Sequence, residues 1–238
     1  MNVICLESAS VAAPPTTPGD PETTLLHPTT LDLGEHRIAV IGSNGSGKST
    51  LLRLLNGLHA PSAGTVSVRG NDTVRALRQV RRDVGFLFTD PLSQLVMPVV
   101  VEDVELSFKA TIKDRTARRS AALDALDRLG LGHLAEHSIY DLSGGERQLV
   151  ALCSVLAAGQ RILVADEPTT LLDLRNNALL QDTIASLDQQ VIYATHDLGF
   201  AAAAERLLVL DDARIIYDGN PAAGIAAYRS LALHGRIR

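Results

Sequence analysis

The stretch Gly42-Ser43-Asn44-Gly45-Ser46-Gly47-Lys48-Ser49-Thr50 constrains this chain more than any other, because it fits G-x-x-x-x-G-K-[ST] at every fixed position. Arg37-Ile38-Ala39-Val40-Ile41 precedes it and reads as a buried strand, and Leu51-Leu52-Arg53-Leu54-Leu55 follows as the start of a helix. A glycine-rich turn between a strand and a helix is the context in which this pattern cradles phosphate. Glycines 42, 45 and 47 let consecutive backbone N–H groups point inward as an anion nest. The helix beginning near Lys48 adds unpaired donors and its dipole. Lys48 can reach the β- and γ-phosphates, and Ser49 can place its hydroxyl on Mg²⁺.

With 238 residues, the chain suits one large α/β domain or a domain with a subdomain. It is 46% apolar but only 3% aromatic, without Trp, so Leu, Val, Ile and Ala must build the core. A net charge of −5 argues against a dedicated nucleic-acid binder, which carries a basic stripe. The isolated Cys5 and Cys153 form neither a disulfide framework nor a zinc cluster and suggest a reducing compartment. Met1 to Ser10 lacks the layout of a secretory signal. The longest apolar run, Leu149 to Ala158, falls far short of the ~18 residues of a membrane span. The expectation is a protein soluble by itself, whose membrane association comes from partners.

Val3 to Leu6 reads as a first strand, and residues 13–28, with prolines at 14, 15, 18 and 21, read as a wide surface loop. Thr65 to Val68 alternates like an edge strand. Asp72 to Arg82 carries Val74, Leu77 and Val80 at helical spacing, with arginines 75, 78, 81 and 82 as a solvated face. Val84 to Phe88 is another buried strand. Between Thr89 and Gly159 the pattern is helical; strands return at 161–165, 191–194 and 207–210, with a hairpin to Arg214–Tyr217. The predicted fold is an α/β P-loop core with a mostly parallel, mixed sheet over 1–88 and 160–238, and a helical subdomain over 89–159.

Two more motifs carry chemistry. Ile162 to Ala165 is an apolar strand ending in Asp166-Glu167, which delivers two carboxylates to the edge where open α/β sheets bind ligands. Asp166 would face Mg²⁺ directly or through water, and Glu167 can polarise a water attacking the γ-phosphate. Leu142-Ser143-Gly144-Gly145-Glu146 opens an apolar helix and forms a second surface suited to phosphate. Ser143 and Glu146 also have the spacing of a capping box, and both roles are compatible.

With these motifs in order, followed by Ala194-Thr195-His196-Asp197, nearly the whole chain resembles the ATPase subunits of ABC transporters. The resemblance implies a head-to-tail dimer, homo- or heteromeric, with two ATP molecules and Mg²⁺ at its interface. Each ATP would lie between Gly42–Thr50 of one chain and Ser143, Gly144 and Gly145 of the other. Thr170-Leu171-Leu172-Asp173 matches the loop that crosses the dimer axis, and His196 matches the γ-phosphate switch histidine. Integral membrane transporter subunits would be partners, at the cytoplasmic face of the cell membrane, and nucleic acid would not.

The chain departs from that family pattern twice. Thr89 stands where the family usually has Gln, and Gln94 follows in Pro91-Leu92-Ser93-Gln94, at the start of an expected helix near the membrane partner. The aromatic that often stacks on adenine is missing near Val11 to Ala13, so adenine would rest on apolar contacts. Phe88-Thr89-Asp90-Pro91, Gln94, Met97-Pro98 and the run Glu167 to Asn176 most resemble the biotin branch of the energy-coupling-factor class, which also has a cobalt branch. A soluble, non-transport ABC ATPase acting on DNA or ribosomes is the alternative, although such proteins typically carry a second cassette, a coiled coil or a basic extension. A GTPase would need an Asn-Lys-x-Asp motif, which the sequence lacks.

Overall fold

The central strands are apolar at nearly every position because both of their faces are covered. In β3 (Arg37–Gly42), Ile38 and Val40 enter one core while Ala39 and Ile41 enter another, as the two-residue period of a strand requires. The computed structural model describes residues 4–15, 22–170 and 172–234. Val3, residues 16–21 of the expected Pro-rich loop and Leu171 lie outside them.

In chain order the elements are β1 (Ile4–Ala13), β2 (Thr23–Leu33), β3, α1 (Lys48–Leu55), β4 (Ala63–Val68), β5 (Asn71–Asp72), α2 (Leu77–Asp83) and β6 (Val84–Leu87). A one-turn 3₁₀ helix, Pro91–Ser93, then leads to α3 (Val100–Phe108), α4 (Arg115–Arg128) and α5 (Gly144–Ala157). β7 (Ile162–Asp166), α6 (Leu174–Ser186), β8 (Gln190–Ala194), α7 (Leu198–Ala202), β9 (Arg206–Asp211), β10 (Arg214–Gly219) and α8 (Pro221–His234) complete the described chain.

Two sheets form. The larger has the order β10-β9-β3-β8-β7-β6, all parallel except the hairpin strand β10. The smaller, β2-β1-β4-β5, is antiparallel. One core lies between the small sheet, α1 and the near face of the large sheet. The other joins the opposite face to α3–α8. The helical stretch after β6 therefore shares a core with the large sheet.

Four local expectations need correction. Both ends of the stretch expected as a loop over 13–28 are strand, because β1 runs to Ala13 and β2 starts at Thr23. Its β-branched threonines suit a strand, and Pro28 is tolerated because β2 is the edge of its sheet. Thr65–Val68 belongs to β4, which has neighbours on both sides, although β5 spans only two residues. The helix expected from Asp72 starts at Leu77. The Asp72 carboxylate accepts from the N–H groups of Val74 and Arg75 at 2.9 and 2.8 Å, holding a turn that leaves Val74 exposed. Finally, Gln94 ends a 3₁₀ turn rather than starting a helix.

Candidate active site

Lys48 is 4% exposed and opens α1 behind Gly47, whose φ of 99° lies in the left-handed region. A β-carbon on Gly47 would sit 2.9 Å from the Leu25 carbonyl, and one on Gly42 only 2.3 Å from the Leu210 carbonyl. Both positions therefore require glycine on steric grounds as well as for backbone freedom. The Lys48 ammonium donates to the carbonyls of Gly42 and Ser43 at 3.0 and 3.1 Å and lies 3.5 Å from Glu167 Oε1. Asn44 to Thr50 line a cavity of about 340 Å³, together with Thr23, Thr24, Leu25 and Glu167.

Asp166, the last residue of β7, is buried, and its Oδ1 accepts from the Ser49 hydroxyl at 2.9 Å. Burial raises its carboxyl above the usual range, opposed by the Ser49 bond and the Arg53 charge. Arg53 stands 4.0 Å away. Glu167 turns the other way, with a φ of 50° unusual for a residue with a side chain. Its Oε1 lies 2.8 Å from His196 Nε2, and its Oε2 accepts from Thr170 Oγ1 at 3.2 Å. His196 sits between buried Thr195 and Asp197, the residue that caps α7.

Lys48, Ser49, Asp166, Glu167 and His196 therefore converge. The Ser49–Asp166 pair offers only oxygen donors, as suits a hard cation that keeps water and phosphate ligands, and so fits Mg²⁺. Among the described residues, no group of three or more His, Cys, Asp or Glu side chains could hold a metal on its own.

Ser143, Gly144 and Gly145 do not line this cavity. They form the start of α5, where the expected capping box is present. The Ser143 N–H and hydroxyl donate to Glu146 Oε2 at 2.8 and 2.7 Å, and the Glu146 N–H donates back to Ser143 Oγ at 3.2 Å. The Ser143 bonds hold the Glu146 carboxyl below its ordinary range. Gly145 is pressed against the Asn176 side chain of α6.

Sequence reasoning missed the Thr23–Leu25 wall. It noted only that no aromatic stands near Val11 to Ala13; Val11 is buried in the core, and β1–β2 pairing sets Ala12 and Ala13 opposite Thr24 and Thr23. Only that long-range pairing reveals the wall. It also missed Asp103, a buried carboxylate that accepts from the N–H groups of Val96 and Met97 at 2.7 and 3.0 Å and from Ser154 Oγ at 3.0 Å.

A phosphate cradle beside a strand that ends in Asp-Glu, on a sheet of this order, defines an ABC-type P-loop ATPase. The family described as ABC transporter matches residues 26–170, and the chain belongs to it. It is an ATP-hydrolysing subunit that energises a membrane transporter. Among its relatives, the biotin transport ATP-binding protein BioM of Rhizobium etli is 44% identical over 87% of this chain and 92% of its own length. The energy-coupling factor transporter ATP-binding protein EcfA1 of Lactiplantibacillus plantarum is 37% identical over 78% of this chain and 68% of its own. The dimeric post-hydrolysis structure of the ATP-binding cassette MJ0796, bound to ADP and Pi, superposes with a TM-score of 0.80. It is 28% identical, over 92% of this chain and 98% of that one.

Proposed function

We propose that the chain powers an energy-coupling-factor importer for biotin, working as one of two ATPase subunits held at the cytoplasmic face of the membrane by integral partners. The observation that carries the catalytic part is Glu167 Oε1 lying 2.8 Å from His196 and 3.5 Å from Lys48 at the mouth of the phosphate cradle. Backbone donors of Gly42–Thr50 and the Lys48 ammonium bind the phosphates. The Thr23–Leu25 wall meets the rest of the nucleotide. Ser49 and Asp166 would hold Mg²⁺, which would supply neutralisation of phosphate charge. Glu167 accepts a proton from the attacking water, and His196 keeps that carboxylate aimed and donates toward the γ-phosphate. Ser143–Gly145, which are absent from the chain's own cavity lining, cap the nucleotide of the second ATPase. Residues 89–159 pass the resulting closure to the membrane partner. A cleft of about 400 Å³ between this region and the core, bordered by exposed Leu58 and Val96, suits that contact.

The cargo reading rests on likeness to BioM and is tested by transport. Uptake of labelled biotin should fall when the chain is removed, return with the wild type and not return with Glu167→Gln. A loss of cobalt uptake with biotin uptake intact would overturn the cargo. In purified protein, Glu167→Gln should bind ATP, lower turnover about a hundredfold to ten-thousandfold and elute as an ATP-dependent dimer. Wild-type turnover in that variant would remove Glu167 as the base.

A further inference from the structure

Thr89 stands at a position where the family resemblance leads one to expect an amide side chain, and the hydrogen bonds around it show how the contact is made instead. The Thr89 hydroxyl donates to the main-chain carbonyl of Asp166 at 2.7 Å. Its neighbour Phe88 is gripped at both backbone groups. The Phe88 N–H donates to Gln94 Oε1 at 3.3 Å, and its carbonyl accepts from Gln148 Nε2 at 3.1 Å. The Gln94 amide then donates through Nε2 to the Ala151 carbonyl at 3.2 Å. Gln148 and Ala151 both lie on α5, the helix capped by Ser143. A polar path thus runs from Asp166, which holds Ser49 at 2.9 Å, through Thr89, Phe88 and Gln94 to α5.

The chemistry of each link is specific. Gln94 uses an acceptor and a donor at once, which an amide supplies and neither a carboxylate nor an aliphatic chain can. Thr89 uses only its hydroxyl proton. Both ends of the Gln94 amide are committed within the chain.

We propose that Thr89 and Gln94 are paired positioning residues: they divide between them one link that fixes α5, and so Ser143–Gly145, relative to the Asp166 end of β7. The proposal rests on the two-chain reading above. Neither residue touches the nucleotide in this scheme. They set how well the helix start presented to the second chain is registered with the same chain's Asp166.

The test uses the full chain and measures kcat, KM for ATP and thermal midpoint. Thr89→Val should lower kcat about tenfold, the size of one hydrogen bond expressed in the barrier, and Gln94→Leu by a smaller factor because Gln148 still holds Phe88, with KM changed less than about twofold in both. Thr89→Ser keeps the hydroxyl and should restore kcat, whereas Gln94→Glu keeps only the acceptor and should not. The double variant should lose no more than Thr89→Val alone, because the Thr89 bond is in series with both α5 contacts of Phe88, whereas Gln148 still ties Phe88 to α5 when Gln94 is lost. Unchanged kcat in both singles would overturn the proposal, as would additive losses or a failure of Thr89→Ser to restore kcat. If Gln94→Leu fails to fold, the Val and Ser variants at position 89 decide the matter. A wild type that hydrolyses no ATP, or a Glu167→Gln variant that stays monomeric with ATP, would instead refute the underlying functional reading.

Discussion

Replacing Lys48 by Met separates the binding role of this ammonium from any structural one. Lys48 is 4% exposed and faces three oxygens, the Gly42 and Ser43 carbonyls at 3.0 and 3.1 Å and Glu167 at 3.5 Å. Met has a similar length and no charge. A charge-assisted hydrogen bond contributes about 1.5–3 kcal/mol, so losing one to phosphate should weaken ATP binding about 10- to 150-fold. Folding responds differently. The buried ammonium carries a desolvation cost that Met removes, and removing one partner of a buried ion pair is costly only when the other is left uncompensated. Glu167 is not stranded, because His196 and Thr170 still hold it and its side chain is 18% exposed. The stability of the nucleotide-free protein should therefore stay within about 1 kcal/mol of wild type. Calorimetric titration with ATP gives the first quantity and urea unfolding without nucleotide the second. Unchanged affinity would sink the phosphate role. A fall of more than about 2 kcal/mol in stability would show that the Lys48–Glu167 pair is structural after all.

Gly145→Ala would place a β-carbon 2.4 Å from Asn176 Nδ2 and 2.8 Å from its Cγ, so the Asn176 side chain or the α5–α6 packing must shift. The expected cost is about 1–3 kcal/mol by urea unfolding, and Asn176→Ala in the same chain should recover most of it; a double variant as unstable as the single would refute the clash. Glu146 is held below its ordinary carboxylate range by the Ser143 hydroxyl and backbone N–H. Its contribution is thus fully present above the unfolded carboxyl pKa and is lost as pH falls through the lower, folded one. Glu146→Gln should accordingly flatten the acid limb of stability below about pH 4.5, leaving neutral pH less affected, and an unchanged acid limb would rule out this linkage.

The site residues legible in the sequence are those whose neighbours in space are also neighbours in the chain. The phosphate loop is framed by its own strand and helix, and Ser143 is matched with Glu146 one turn later. Asp166 ends a strand whose four preceding residues are apolar, and Glu167 follows directly. What stayed hidden depends on pairing over long separations. Thr23–Leu25 reach the phosphate loop only because β2 pairs with β1 and passes over Gly47. The Thr89 hydroxyl meets Asp166, and Gln94 meets Ala151, across contacts between different elements. Asp103 reads as one more acid on a helix with acidic neighbours, yet it is buried and ties the loop before α3 to α5. The helix expected from Asp72 failed for a local reason: its carboxylate caps a turn more readily than it enters a helix.

The two adjacent acids show how one residue of backbone can place two carboxylates in different surroundings. Asp166 is the last residue in register with β8, and it points inward to Ser49, where burial raises its carboxyl above the usual range. The next residue cannot continue the strand and serve the same side, because successive strand side chains alternate. Glu167 instead takes a φ of 50°, a left-handed geometry that costs a residue with a β-carbon about 1–2 kcal/mol. Three bonds hold it there. Its N–H donates to the Ala194 carbonyl at 3.1 Å, its own carbonyl accepts from the Thr170 N–H at 3.3 Å, and its Oε2 accepts from the Thr170 hydroxyl. The same turn brings Oε1 to His196 on the neighbouring strand's exit. A strained backbone that its surroundings over-determine is characteristic of functional sites, and here the strain has a definite product. It carries a carboxylate out of the Ser49 side and sets it at the mouth of the cradle, between Lys48 and His196, which is the placement the proposed base requires.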